Sequence, residues 1–282
     1  MLRRRGGVAT RAQLVQTCGR AQVDAALAQG RLVVVARGRY ALSTVDADLR
    51  VAHALGGVLS WSSAALQHGW EVLRPPELPH VTVRRGRNLR VTDARVHHST
   101  LDVDDVTGPV TSAERTVVDC LRSLPFDEAL AVADSALRSG RSQRWLVSLT
   151  AGLDGPGSGQ ARRVAGMADA RADNPFESGL RALALGAGLR VEPQVNLSGP
   201  DGFLGRPDLV DRERGLVLEA DSFAWHGSRR GLVRDARRYN AFVLAGWRVL
   251  RFSWEDVVLE PHRVEAVMRA VVQGSTHVTG TA

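Results

Sequence analysis

The chain has 282 residues, 44% of them hydrophobic and 24% charged, with 37 basic and 30 acidic side chains and a formal net charge of +7. That length suits two domains or three small ones, the composition excludes a disordered or fibrous chain, and the basic balance favours polyanionic partners. Every basic residue is arginine, which removes lysine nucleophiles, Schiff bases and catalytic ammonium groups from consideration. Cys18 and Cys120 are the two cysteines; they make neither a disulfide framework nor a zinc site and fit a reducing cytosol. The basic start, Met1-Leu-Arg-Arg-Arg-Gly-Gly, lacks the apolar core of a signal peptide. No stretch approaches the roughly 18 apolar residues of a membrane helix, so the expected location is cytoplasmic with no membrane partner.

In chain order, Thr10 is placed to cap a helix through Gln16, Gly19 breaks it, and Ala21, Val23, Ala26 and Leu27 give a second helix an apolar face ending at Gly30. "RLVVVARGRYAL" (31–42) follows as two strands around Arg37-Gly38-Arg39. This order predicts a winged helix-turn-helix over 1–44, which carries eight arginines and one acid, Asp24. Arg20, Arg37 and Arg39 are its candidate nucleic-acid contacts; the alternative is a solvated basic surface on a small helical cap.

Residues 45–149 read as a small α+β region, with helices near 46–55, after Ser60, and near 112–123 and 126–138, and strands near 79–85 and 94–99. "VRRGRNLR" (83–90) is a second basic loop. His97 and His98, adjacent on a strand, point to opposite faces and so cannot chelate one ion together; they read as structural. "TAGLDGPGSGQ" (150–160) has the composition of a linker.

Over 161–274 a helix runs to about Arg171, and "DNPFESGLRALALGAGL" begins another, capped by Asp173 or Asn174, with Pro175 and Glu177 in its first turn. A strand over 191–197, a hairpin, a basic helix near 229–244, the strand "GWRVLRF" and a helix near 261–272 complete an α/β layer; 275–282 is a tail. The hairpin "RPDLVDRERGLVLEADSFAWH" (206–226) concentrates carboxylates. Glu219 and Asp221 share one strand face, and pairing Asp211 with Leu216 sets Asp208 opposite Glu219 on that face. Three crowded carboxylates repel one another unless a cation neutralises them, and oxygen-only ligands select Mg²⁺ or Mn²⁺.

"NPFESGLR", "RPDLV", "LVLEAD", His226, Asp235 and Arg238 in "RDARRYN", and "GWRVLRF" occur in an order that resembles the PD-(D/E)XK nuclease superfamily, closest to its very-short-patch-repair (Vsr-like) branch. "TSAERTVVDC" and "ALAVADSALRSG" make the first 140 residues similar, less specifically, to the winged-helix region of type IV abortive-infection antitoxins. The resemblance implies a restriction-endonuclease-like α/β/α core at the C-terminus, with Mg²⁺ or Mn²⁺ held by Asp208, Glu219 and Asp221. It further implies an endonuclease acting on DNA, and a cognate toxin or defence partner. The superfamily's lysine, two residues after its second acid, is Asp221 here. His226 is the substitute candidate for general base or metal-shell ligand, its alternative being a structural histidine beside Trp225. Glu177 is either a further catalytic residue or a carboxylate favoured by the helix dipole alone. Residues 226–251 hold seven arginines and one acid; Arg229, Arg230, Arg234 and Arg238 are candidates for tracking phosphates, against a solvated helix face. With the lysine gone, the rival expectation is a transcriptional regulator or antitoxin built on a catalytically degenerate nuclease fold.

Overall fold

The computed structural model describes residues 6–89, 93–200, 202–221 and 229–274, with backbone alone over 229–232. It is a mixed α/β chain that separates into two compact units, Met1–Trp70 with Pro75–Cys120 and Glu71–Arg74 with Leu121–Ala282.

The first unit opens with β1 (Val8–Thr10), α1 (Arg11–Cys18), α2 (Arg20–Ala28), β2 (Leu32–Ala36) and β3 (Arg39–Leu42). Thr10 caps α1 through a reciprocal box with Gln13, satisfying two amide donors that the helix start leaves over. Gly19 sits at φ +78° between the two helices, a conformation that costs other residues far more. The three strands form an antiparallel sheet in the order β1-β3-β2. Leu14, Val23, Leu32 and Tyr40 fill the space beneath it. β1 lies outside the sequence expectation because three residues are too few to show alternation.

α3 (Ala47–Leu55) is capped by Asp46, whose carboxylate accepts from the Asp48 and Leu49 amides. It is followed by β4 (Val58–Leu59), α4 (Trp61–Gln67), β5 (His80–Val83), β6 (Arg95–His98), β7 (Val106–Thr107) and β8 (Val110–Thr111), then by α5 (Ala113–Ser123). These strands form a sheet in the order β6-β5-β4-β8-β7. Leu49, Ala52, Leu59, Ala64, Val81 and Val83 pack a second core. A contact between His53 Nε2 and the Ala9 carbonyl at 3.0 Å joins α3 to β1, so the chain before residue 44 and the chain after it belong to one unit.

The second unit contains α6 (Phe126–Arg138), α7 (Gln143–Ala151), α8 (Ser158–Met167) and α9 (Pro175–Gly186). The expected linker at 150–160 lies inside this unit, because Arg122 donates to the carbonyls of Asp154 and Pro156 at 2.9 and 2.8 Å and folds the segment down. α8 stops at Met167 rather than near Arg171. There Arg181 takes the Met167 carbonyl at 2.7 Å, and Asp134 accepts from the Asp169 amide at 2.8 Å. Arg181 also reaches both oxygens of Asp134 at 2.7 Å, a fully buried pair that fastens α9 to α6.

After α9 come β9 (Glu192–Pro193), the hairpin β10 (Leu197–Gly199) and β11 (Gly202–Gly205), then β12 (Leu209–Asp211) and β13 (Leu216–Asp221). The unit finishes with α10 (Arg229–Leu244), β14 (Arg248–Ser253), α11 (Trp254–Val258) and α12 (Pro261–Val272). The strand expected over 191–197 is broken at Gln194, which takes φ +55°. The main sheet runs β14-β13-β12-β9, with β13 parallel to β14 and antiparallel to β12. Leu209, Leu216 and Leu218 point into a core with Phe176, Leu180 and Met268, while Val210 and Val217 meet Phe242 of α10 on the other face. Both faces are covered, and the candidate carboxylates lie on the α10 side.

Candidate functional site

The β12–β13 register pairs Asp211 with Leu216 and Leu209 with Leu218. Asp211 holds that turn from inside: fully buried, it accepts from the Arg190 and Arg214 amides at 2.9 and 3.0 Å. One residue before β12, Asp208 accepts from the Ala220 amide at 2.8 Å and from the Gln194 side chain at 3.2 Å. Gln194 gives the same amide nitrogen to Glu177 at 2.9 Å, so it bridges helix α9 and the hairpin. Its left-handed backbone is the sort of local cost retained where a side chain must point one way.

Glu177 is buried in the first turn of α9, where Asn174 caps the helix. Its other contacts are the Asp173 amide at 2.8 Å and the Asn174 side chain at 2.7 Å. Burial, then the Asp208 charge, push its carboxyl up to about 7. Glu219 is 3% exposed; burial, then Asp208, push its carboxyl up to about 8. Burial also raises Asp208. Arg238 donates to Glu219 Oε2 at 3.1 Å, while Oε1 is buried without a hydrogen-bond partner among the described residues.

The structure therefore brings Asp208, Glu219 and Glu177 into one electrostatic group. Asp221, on the same strand face as Glu219, is instead ion-paired with Arg251, whose guanidinium lies 4.2 Å from the Tyr239 ring centroid. Among the described residues no three His, Cys, Asp or Glu side chains are arranged to hold a metal ion. Asp208 and Glu219, with a spare carboxylate oxygen, form a two-ligand donor set of the kind a hard cation accepts. His226 lies outside the described residues, as do the side chains of Arg229 and Arg230.

Arg238, expected on phosphate, turns inward onto Glu219 and Tyr239; a buried carboxylate without it would carry its charge uncompensated. Arg234 stays 79% exposed. Arg20 and Arg37 are exposed, but Arg39 is half-buried and lines a cavity with His53. His97 stacks on Trp61 at 3.6 Å and meets His80 Nδ1 at 3.2 Å, while His98 faces outward. Gln194 carried no sequence signal, since a lone Gln in an irregular stretch is indistinguishable from a solvated residue; Arg251 lay within "GWRVLRF", where nothing in the sequence marks Asp221 as its partner.

No family model matches the chain. It is similar to Uncharacterized protein Rv2248 of Mycobacterium tuberculosis (strain ATCC 25618 / H37Rv), 29% identical over 258 residues that cover 88% of this chain and 94% of the relative. Uncharacterized protein MT2308 of strain CDC 1551 / Oshkosh matches with the same 29% identity over 88% of this chain and 94% of the relative. The crystal structure of the RV2827C protein from the same species covers 71% of this chain and 86% of its own at a TM-score of 0.33 and 18% identity. No described helix is long and apolar enough to cross a membrane.

Proposed function

We propose that the second unit is a metal-dependent phosphodiesterase of the restriction-endonuclease-like class and that the first unit holds DNA through a winged helix. One observation carries the reading. Asp208 and Glu219 are crowded on one buried strand face, their carboxyls raised, with a Glu219 oxygen unpartnered among the described residues. Carboxylates held together against their own repulsion are a usual mark of a functional site.

Asp208 and Glu219 would hold the ion, which would supply Lewis-acid polarisation of a phosphate and an activated water. Gln194 orients Asp208, and Glu177 in turn anchors Gln194, so Glu177 is a positioning residue here. Arg251 and Arg238 set positive charge beside the carboxylates. In the first unit, the order β1-α1-α2-β2-β3 with sheet order β1-β3-β2 supports the winged-helix reading, which offers α2 and its exposed Arg20 to a groove.

The deciding experiment incubates purified protein with supercoiled, linear and single-stranded DNA, with and without Mg²⁺ or Mn²⁺. Metal-dependent cleavage that disappears in Asp208→Ala supports the proposal; no cleavage with any metal or substrate refutes it. A second reading, a DNA-binding regulator on a degenerate nuclease fold, is favoured by the ion pairs Arg238–Glu219 and Arg251–Asp221, which offset the carboxylate charge without an ion. Its sign is metal-independent binding to one promoter sequence by an inert protein.

A further inference from the structure

Gly56 ends α3 at φ +69° and has no side chain in the space where two guanidinium groups sit. A Cβ there would stand 2.6 Å from Arg39 Nη2 and 2.7 Å from Arg87 Nη1. Arg39 comes from β3 and Arg87 from the loop after β5, so residues far apart in sequence converge on one glycine. Among the described residues neither arginine forms an ion pair. Burial first, and then the Arg87 charge, hold Arg39 below its ordinary value. Burial foremost lowers His53, and its Nε2 is committed to the Ala9 carbonyl.

Arg39 borders one cavity and Gly56 a second. A cavity of about 290 Å³ is lined by Arg39, His53, Thr10 and Gln13, and a second of about 460 Å³ by Gly56, Thr82, Arg84 and Thr100. Gly57 and Val58 line both. Two convergent guanidinium groups that form no ion pair among the described residues have the chemistry of an oxyanion site.

We propose that Arg39 and Arg87 form a phosphate-binding site over Gly56, occupied by a phosphate group of a nucleic-acid strand or of a free nucleotide. The first source rests on the DNA-binding reading of this unit; the second does not. The pair explains why Arg39 turns away from the hairpin tip that holds Arg37: a phosphate between the two guanidinium groups converts their repulsion into paired, charge-assisted hydrogen bonds.

The test uses the full chain and the variants Arg39→Ala, Arg87→Ala and Arg87→Gln, with three probes: inorganic phosphate, AMP and a short DNA duplex. Without any probe at low ionic strength, the variants should melt no lower than the wild type, because each removes a like-charge contact. Phosphate or AMP should raise the wild-type melting temperature and lose that effect in every variant. If DNA is the source, duplex affinity should fall about tenfold or more and the log–log salt slope by about one per lost contact. Loss of the AMP effect in a protein that binds no duplex keeps the site and removes the DNA reading. Duplex binding and phosphate stabilisation at wild-type levels in all three variants overturn the site and leave the DNA reading standing. Destabilisation of both Arg87 variants without ligand would make the guanidinium structural and also overturn the proposal.

Discussion

Glu219→Gln isolates the electrostatic core of the candidate site. In the folded chain, burial and then the Asp208 charge move the Glu219 carboxyl from 4.5 up to about 8. A raised carboxyl means the native state binds the proton more tightly than the unfolded state. The stability this group contributes is therefore complete below its unfolded value and is lost as pH rises through about 8. At about 1.4 kcal/mol per pKa unit, the shift amounts to on the order of 5 kcal/mol over the full titration, of which on the order of 4 falls between about pH 5 and pH 9. Glutamine keeps the shape and has no proton to lose, so the variant's stability should be flatter across that range by about this amount. Urea unfolding followed by circular dichroism, with EDTA present, measures both profiles. Parallel profiles for wild type and variant would refute the argument that Glu219 is buried against its own charge. Adding Mg²⁺ at about pH 8 extends the test: binding to the ionised pair should restore wild-type stability and leave Glu219→Gln nearly unmoved. A flatter variant profile with no Mg²⁺ effect on the wild type would keep the electrostatics and remove the ion.

Three further changes probe other parts of the second unit. Asp134→Ala strands the buried Arg181 guanidinium and should cost about 3–5 kcal/mol, read as a lowered urea midpoint. Asp211→Ala leaves the Arg190 and Arg214 amides without their acceptor and should cost about 1–3 kcal/mol, with faster amide exchange confined to the β12–β13 turn. Asp221→Lys installs the residue usual in the resembled superfamily and removes the ion pair with Arg251. An inert wild type whose variant cleaves DNA with Mg²⁺ would assign the chain to the degenerate reading.

The parts of this structure that local patterns specify were legible in the sequence. The pairing of Asp211 with Leu216 across the turn fixes which residues share a face, because a slip of one residue would send Asp208 to the face opposite Glu219. Asn174-Pro175 with Glu177 marks the start of α9 because each residue meets a separate need of a helix terminus. The unit boundary near residue 120 was not legible. Gly, Pro and Ser at 150–160 have linker composition, and only the reach of Arg122 across more than thirty positions shows that they pack down. The inward turn of Arg238 escaped notice for the same reason: its neighbours Arg234 and Arg237 share its chemistry, and what separates them is a Glu219 nineteen residues away in sequence.

The arginine composition constrains mechanism further than it constrains fold. Guanidinium groups stay protonated at any working pH, so Arg238 and Arg251 can neutralise, orient and clamp but cannot accept a proton. A hydrolytic site here must then take its base from the carboxylates or from His226. Glu177, near 7, has the ionisation a base at neutral pH requires. Its geometry argues against that role, since both its oxygens already accept hydrogen bonds from Asp173, Asn174 and Gln194. Glu219 keeps one oxygen without a partner among the described residues, but that oxygen is also its available donor to a cation. In the proposed site, metal ligation and proton acceptance would thus compete for the same atom of this carboxylate. His226, five residues beyond Asp221 in sequence, is a candidate base that would leave both carboxylates free for an ion. The prediction that separates the two arrangements is kinetic. With His226 as base, His226→Ala should cost about 10²–10⁴ in cleavage rate while leaving Mg²⁺ affinity near the wild-type value. With Glu219 as base, the same variant should leave the rate intact.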